Sequence, residues 1–416
     1  MKLLCLSNGH GEDAIAVGIL RRLQQHPQAP ELAALPLVGE GRAYNDLDDV
    51  PIVGPVKKMP SGGFVYMDGR QLWRDLRGGL VGLTLAQRRV VRTWGREGGA
   101  ILAVGDIVPL LLAWMSGVNY AFVGTAKSEY YLRDDIGLLP RRTWFEKLES
   151  WSGSVYLPWE RWLMTRKRCR AVFPRDGLTT RYLQKFNVPA YDLGNPMMDG
   201  LEGEPVSEEE ETNRVLTVAL MPGSRSPEAE TNWEQIVKTA AILRDSQSNR
   251  AIAFLAPIAP GLDLDPFCRV LETYGWQSAE RKSSLTASDP EARSFSQAKA
   301  TLILTQRAFA DCLRRADVAI AMAGTATEQF VGLGKPAIAL PGTGPQYTPA
   351  FAEAQSRLLG PSLILLDRPE KITDVVEQLL TDPDWLQSIA ENGRRRMGEP
   401  GASDRIADYL IQLLLD

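Results

Sequence analysis

One feature restricts this chain more than any other. Along most of its length a short apolar run is followed by a Gly-containing turn and then by helically spaced apolar residues. That order leads to parallel sheets, because parallel strands can be joined only through a crossover, usually a helix. In the first half the strands are read at Lys2–Ser7, Glu31–Val38, Ile101–Val104, Tyr120–Val123, Ala171–Pro174 and Tyr191–Leu193. A second series follows at Val215–Met221, Ala251–Ala256, Thr301–Leu304, Val318–Ala321, Ala337–Leu340 and Leu363–Leu366. Between them Gly200–Asn213 carries six Glu and no basic residue, the composition of a solvated linker. Ser-rich Gln277–Gln297 reads as a surface excursion.

The expected architecture is α/β, with two Rossmann-like doubly wound domains. They are an acceptor-side domain over 1–199, the linker over 200–213, a nucleotide-binding domain over 214–382, and C-terminal helices over 383–416 that could cross back to the first domain. A length of 416 residues accommodates this plan. Two such sheets suggest a central cleft, with ligands held at the carboxyl ends of the strands.

Composition removes several classes of function. Net charge is −4, where a general nucleic-acid binder is usually basic. The four Cys form no CxxC pair, which excludes a zinc ribbon and points to a reducing compartment. His10 and His26 are the only histidines, so neither a His-rich metal site nor a Ser-His-Asp hydrolase is expected. The N-terminal apolar run is too short for a signal peptide. The longest apolar stretch elsewhere, Ile107–Met115, falls far below the roughly 20 residues needed to span a bilayer. The expected location is cytoplasmic or peripheral to a membrane.

Four strand ends carry the candidate chemistry. After the first strand, Ser7-Asn8-Gly9-His10-Gly11-Glu12-Asp13 turns tightly into a helix whose free N–H groups could meet an anion or a sugar hydroxyl; a plain joining turn is the alternative. Asn8, Gly9, Gly11 and Glu12 form the candidate acceptor loop. Asp106, at a strand end beside Gly105, reads equally as a general base or as a helix N-cap ahead of Pro109. Pro222-Gly223-Ser224-Arg225 opens the second domain, and its guanidinium suits a diphosphate. Ala323-Gly324-Thr325-Ala326-Thr327-Glu328-Gln329 supplies a Gly-led helix start, two hydroxyls, and an acid or amide within reach of a ribose. A further loop, Pro341–Gln346, follows the next strand. The donor-binding candidates are therefore Gly223, Ser224, Arg225, Gly324, Thr325, Ala326, Thr327, Glu328 and Gln329. No cofactor or metal is called for.

PGSR at Pro222–Arg225 and AGTATEQ at Ala323–Gln329, the latter between ADVAIAM and GKP, resemble the lipid-A-disaccharide synthase family. The likeness extends to Phe186–Pro189 and Gly194–Pro196 and covers most of the chain in order. It implies the GT-B fold and a metal-independent, inverting transfer of a sugar from a nucleotide diphosphate, UDP-linked, to a lipid or lipid-linked acceptor. By position it puts Asp106 as the base, with His10 as the second candidate or as a group that orients the acceptor. Two positions and one loop depart from the family pattern: Ala323 replaces a serine, Gln329 stands where a glutamate is expected with Glu328 one position early, and SNGHGED replaces GEASGD. The same architecture also serves sugar-nucleotide 2-epimerases, and a non-catalytic relative would keep it too.

Two stretches stand apart from the acidic whole. Arg70–Arg96 carries seven Arg against Asp75 alone, with Leu72, Trp73, Leu76, Leu80, Leu83 and Leu85 interspersed. Arg141–Arg170 has eight basic residues against three Glu, and four tryptophans: Trp144, Trp151, Trp159 and Trp162. Trp with Arg suits the interface of an anionic bilayer; tryptophans packed in a core beside a solvated basic face are the alternative.

Overall fold

The computed structural model describes residues 1–56, 80–140, 144–201, 215–247, 249–279 and 289–415. Most of the acidic linker, residues 70–79 and 141–143 of the two basic stretches, and 280–288 of the surface excursion lie outside the described residues. The chain divides into two compact units, Met1–Asp199 with Gly398–Asp416, and Gly200–Met397.

The first unit is built on β1 (Lys2–Ser7), β2 (Glu31–Pro36), β3 (Ala100–Gly105), β4 (Tyr120–Gly124) and β5 (Cys169–Pro174). All pairings are parallel, in the order β2-β1-β3-β4-β5. Both faces are buried, which is why the strands read as unbroken apolar runs. Alternate residues feed separate cores. Leu4 and Leu6 join Val91, Leu110 and Ala113, whereas Leu3 and Cys5 join Ile15, Ile19 and Leu20. The C-terminal helix, Ala402–Leu415, closes the second of these cores with Ile406, Ala407, Leu410 and Ile411.

The second unit holds β6 (Leu216–Met221), β7 (Ile252–Pro257), β8 (Gln277–Ser278), β9 (Arg293–Gln297), β10 (Ala300–Thr305), β11 (Val318–Ala321), β12 (Ala337–Ala339) and β13 (Leu363–Leu365). Their order is β13-β12-β11-β6-β7-β10-β9-β8. The strands from β13 to β10 run parallel; β8 and β9 add an antiparallel edge. Trp233, fully buried on the helix Glu228–Ser246, centres the main core and donates its indole N–H to Phe267 O at 3.1 Å.

Two expectations need correction. Gln277–Gln297 is not only a surface excursion, because β8 and β9 lie within it; Phe295 is buried, with Ser294 and Ser296 half-buried beside it. Tyr191–Leu193 is not a strand. Pairing stops at the isolated bridge Val172–Ala190, beyond which the C-terminal helix takes the place of a sheet neighbour. Tyr191 packs on Tyr409 with ring centroids 4.6 Å apart, and Leu193 O accepts from Arg405 Nε at 3.0 Å.

The return of the C-terminal helix depends on one carboxylate. Asp199 accepts from the backbone N–H groups of Gly401 (2.6 Å), Ala402 (3.0 Å) and Ser403 (2.7 Å), three donors that a helix start otherwise leaves unpaired. Gly18 on the first helix lets that helix approach closely, since an added Cβ would stand 3.3 Å from Ser403 Oγ. Asp199→Ala should therefore destabilise this helix by about 1–2 kcal/mol, the scale of a lost N-cap. Hydrogen exchange of the Ile406–Ile411 amides is the measurement, with protection expected to fall roughly tenfold. Unchanged protection would refute the capping role.

Candidate functional site

Each unit contains one place where neighbouring strands lead their connections in opposite directions. In the first unit it lies between β1, which leads to β2 on one side, and β3, which leads to β4 on the other. In the second it lies between β6 and β11. Helices leave such a point toward opposite faces of the sheet, and a crevice opens at the carboxyl ends. All four candidate motifs flank these two points. Register brings each pair level, with Ser7 beside Val104 and Met221 beside Ala321.

In the first unit Gly9 has φ +126° and Gly105 has φ +130°, backbone that a side chain resists. Gly105 also clears space: an added Cβ would stand 3.2 Å from Glu12 Cγ and 3.6 Å from Asn8 Cβ. Behind the turn, Ser7 Oγ donates to Asp13 Oδ1 at 2.5 Å and lies 2.6 Å from the Tyr44 hydroxyl, a buried set that fixes the loop. His10 is the first residue of the helix His10–Gln25, and its side chain lies outside the described residues. Gly11 is exposed, and an added Cβ there would meet nothing within 4 Å.

Asp106 is the N-cap of the helix Ile107–Ser116, so the capping reading is realised. Its Oδ1 accepts from Val108 N at 2.8 Å and its Oδ2 from Asn8 Nδ2 at 2.8 Å, which ties the two loops together. Burial raises its pKa, while these two bonds and Lys127 pull the other way. Lys127 pairs with Glu160 at 2.6 Å. Glu12, named only as part of the acceptor loop, is the better-poised acid. The Thr125 hydroxyl lies 3.5 Å from its Oε1, and its own backbone N–H also bonds the carboxylate. Burial, joined by the charges of Asp106 and Asp13, pushes its pKa up to about 7. The proximity of Glu12 and Asp106 had no local signal; only the pairing of β1 with β3 creates it.

In the second unit Gly223 has φ +104°, and an added Cβ would stand 3.4 Å from Met322 O. The two donor motifs therefore touch through their backbones. Asn232 Nδ2 joins them again, donating to Pro222 O at 3.0 Å and Met322 O at 3.4 Å. Ser224 and Thr325 are exposed; Arg225, Ala326 and Gln329 are half-buried, and Glu328 is buried. Gly324 caps the helix Thr325–Gly332 without a side chain, leaving the first N–H groups open to an anion. Thr327 does not offer itself as a donor. It is fully buried, its hydroxyl donates to Ala323 O at 2.6 Å and its N–H to Gly324 O at 3.1 Å. A threonine two residues into a helix bonds back to the preceding turn, a habit that removes it from the list.

Three of the four tryptophans of the second basic stretch are not core residues. Trp151 is 81% exposed, Trp159 51% and Trp162 45%, beside Leu111 at 41%. Arg166 lies over the Trp162 ring at 4.3 Å, and Trp114 meets that ring edge-on at 5.3 Å. The Trp144 side chain, together with Leu72, Trp73, Leu76 and the Leu80 side chain, lies outside the described residues. No helix among the described residues is long and apolar enough to cross a membrane.

No protein-family model matches the chain. It is 27% identical to a lipid-A-disaccharide synthase of Syntrophus aciditrophicus (strain SB) over 301 residues, 62% of this chain and 68% of the relative. Among solved structures, MurG from Acinetobacter baumannii matches with a TM-score of 0.58 at 14% identity, covering 99% of each chain. A UDP-GlcNAc 2-epimerase from Neisseria meningitidis, bound to UDP-GlcNAc, matches at 0.55 and 14%, covering 99% of this chain and 100% of that one. A UDP-glucosyltransferase from Polygonum tinctorium matches at 0.58 and 13%, covering 100% and 98%. The fold is thus the GT-B arrangement of two Rossmann-like units that glycosyltransferases and these epimerases share.

The raised pKa of Glu12 fixes the sign of a pH effect. Its value rises from 4.5 to about 7 on folding, so the native state holds the proton more tightly than the unfolded chain. The associated stability is complete below the unfolded value and is lost as pH rises through about 7. Glu12→Gln mimics the protonated acid and should be more stable than wild type above pH 7, by up to about 3 kcal/mol, with the advantage fading at acid pH. Urea unfolding across this range checks it; equal stabilities at pH 8 would contradict a half-buried, proton-holding Glu12.

Proposed function

We propose that the protein is a metal-independent, inverting glycosyltransferase that moves a sugar from a UDP-linked donor to a lipid or lipid-linked acceptor. The observation that carries the donor half is the convergence of PGSR and AGTAT at one switch point. There Gly223 packs against Met322 O and an uncapped helix start follows directly. In this reading the open amides around Gly324–Ala326 and the Arg225 guanidinium take up the negative charge that develops on the departing diphosphate. Glu328 and Gln329, one turn in, are the candidates for the ribose. The sequence likeness to a lipid-A-disaccharide synthase supports a transferase with a lipid acceptor.

The acceptor half rests on the acids of the first unit. Inverting transfer needs a base for the incoming hydroxyl. Glu12 and Asp106 together form that group in our reading. Asp106 already accepts two hydrogen bonds at 2.8 Å, whereas the Thr125 hydroxyl stands 3.5 Å from Glu12 Oε1. Glu12 is accordingly assigned the proton, and Asp106 holds Asn8 and the loop in position. His10 orients the acceptor or supports the diphosphate.

A second reading is favoured by a specific finding, the match to a UDP-GlcNAc 2-epimerase over nearly the whole chain. Incubation with UDP-GlcNAc separates the two. A transferase releases UDP only when lipid acceptor is present, whereas an epimerase forms the C2 epimer without any acceptor. UDP binding with no turnover on any acceptor would mark a non-catalytic relative.

Three outcomes follow. Arg225→Ala should weaken UDP binding by about 1.5–3 kcal/mol in a folded protein, the range for a hydrogen bond to a charged group, as read by calorimetry. An unchanged affinity removes Arg225 from the donor site. Glu12→Gln should lower turnover by about 10²–10⁴, and Asp106→Asn, which keeps its cap oxygen, should cost less. The opposite ranking returns the proton to Asp106. On the surface, Trp159 and Trp162 changed to Ser, with Arg166, Lys167 and Arg168 changed to Gln, should abolish sedimentation with anionic phospholipid vesicles. Wild-type sedimentation should itself weaken with salt, since exposed charges are screened within about 8–10 Å at physiological ionic strength. Wild type that stays in the supernatant at low salt rules this surface out.

A further inference from the structure

We infer that two buried side chains outside every recognised motif, Gln355 and Glu228, are positioning residues that hold three loops of the second unit as one diphosphate cradle. The inference rests on reading the β6/β11 switch point as the donor site, and it adds the third loop, Pro341–Gln346, to that site.

Gln355, on the helix Pro349–Leu359, is 2% exposed. Its amide nitrogen donates to Ala323 O and to Gly324 O, both at 3.1 Å. Its oxygen accepts from the Tyr347 hydroxyl at 3.4 Å. Two carbonyls facing one side chain require an NH2 group there, so neither Glu nor an apolar residue can replace it. The consequence lies on the far side of each peptide. In a trans peptide the N–H points opposite to the C=O, so pinning Ala323 O aims the Gly324 N–H, and pinning Gly324 O aims the Thr325 N–H. Thr327 Oγ1 reinforces the first of these, donating to Ala323 O at 2.6 Å. Both carbonyls point into the protein body, and both amides therefore point out of it, where Thr325 is exposed. The anion-binding geometry of the AGTAT turn is set by residues that never meet the anion.

Glu228 does the same for the third loop. It is the first residue of the helix that follows PGSR, and it is 8% exposed. Its Oε1 accepts from Gln346 N at 3.1 Å and Tyr347 N at 2.6 Å. Gly344 lies directly on the carboxylate, because an added Cβ would stand 2.2 Å from Oε1. The loop doubles back tightly, with an added Cβ at Gly342 only 2.0 Å from Tyr347 O. Tyr347 then passes the constraint to Gln355, and Gln355 to Gly324. PGSR, AGTAT and PGTGPQ are thereby one connected body.

Calorimetry with UDP on the full chain tests this. Gln355→Met keeps the shape and deletes both donors, so UDP affinity should fall at least tenfold with the far-UV spectrum unchanged. Glu228→Ala should also weaken UDP about tenfold, while Glu228→Gln retains an accepting oxygen and should remain within about threefold of wild type. Hydrogen exchange without ligand supplies a readout that does not depend on Gln355→Met folding: the Gln346 and Tyr347 amides should exchange faster in Glu228→Ala and near the wild-type rate in Glu228→Gln. If wild type binds UDP and the variants bind it equally well, the positioning role is overturned while the donor-site reading stands. Wild type without affinity for UDP overturns the donor-site reading, and this inference with it.

Discussion

The order of parallel strands is the constraint on which everything else here depends. Right-handed crossovers allow a chain to wind outward from a central strand in one direction and then return to wind in the other. At the return, two neighbouring strands send their helices to opposite faces, and nothing fills the space above their carboxyl ends. The first unit meets this condition between β1 and β3, the second between β6 and β11. The glycines follow from it. Gly9, Gly105 and Gly223 sit where the backbone must turn with positive φ, and Gly105 and Gly223 also where a neighbouring loop comes close. A Cβ at Gly105 would press on Glu12, and one at Gly223 on the Met322 carbonyl.

The two switch points are chemically unlike. The one in the second unit presents backbone N–H groups and an arginine, which suits a diphosphate. The one in the first gathers Glu12, Asp106 and Asn8, which suits a neutral hydroxyl that must lose its proton. Holding acids close together in a desolvated place works against folding at neutral pH: the charge of Glu12 is disfavoured by burial and by Asp106, that of Asp106 by burial and by Glu160. Groups held at such a cost commonly serve chemistry. The bonds from Val108 N and Asn8 Nδ2 moderate that cost for Asp106, and for Glu12 its own backbone N–H and the Thr125 hydroxyl do so.

Local pattern made much of this legible. Apolar runs bounded by turn residues located the parallel strands of both sheets within a residue or two, because burial on both faces leaves an uninterrupted signal; the antiparallel edge strands β8 and β9 lack that signal. The four motifs were legible for the same reason, each lying directly after such a run. What escaped depends on distance along the chain. The Asp106–Asn8 bond joins residues 98 positions apart, and Asp199 caps a helix more than 200 positions away. Tyr191–Leu193 has strand-like composition, yet its partner is Tyr409 on a helix that returns from the far end of the chain. The Thr327 hydroxyl bonds its own preceding turn at Ala323 O, which residue type alone does not reveal. Gln355 lies inside an ordinary amphipathic helix and Glu228 opens another, where a buried polar residue carries no mark of what it holds.

The central claim is that the β6/β11 switch point is a nucleotide-diphosphate site formed by three loops. Hydrogen–deuterium exchange of the whole protein with and without UDP tests it most directly. The account predicts that UDP slows exchange in Gly223–Arg225, Gly324–Ala326 and Gly342–Tyr347 together, with the strands beneath them unchanged. Protection confined to some other part of the chain, or none at UDP concentrations that saturate binding, would contradict it.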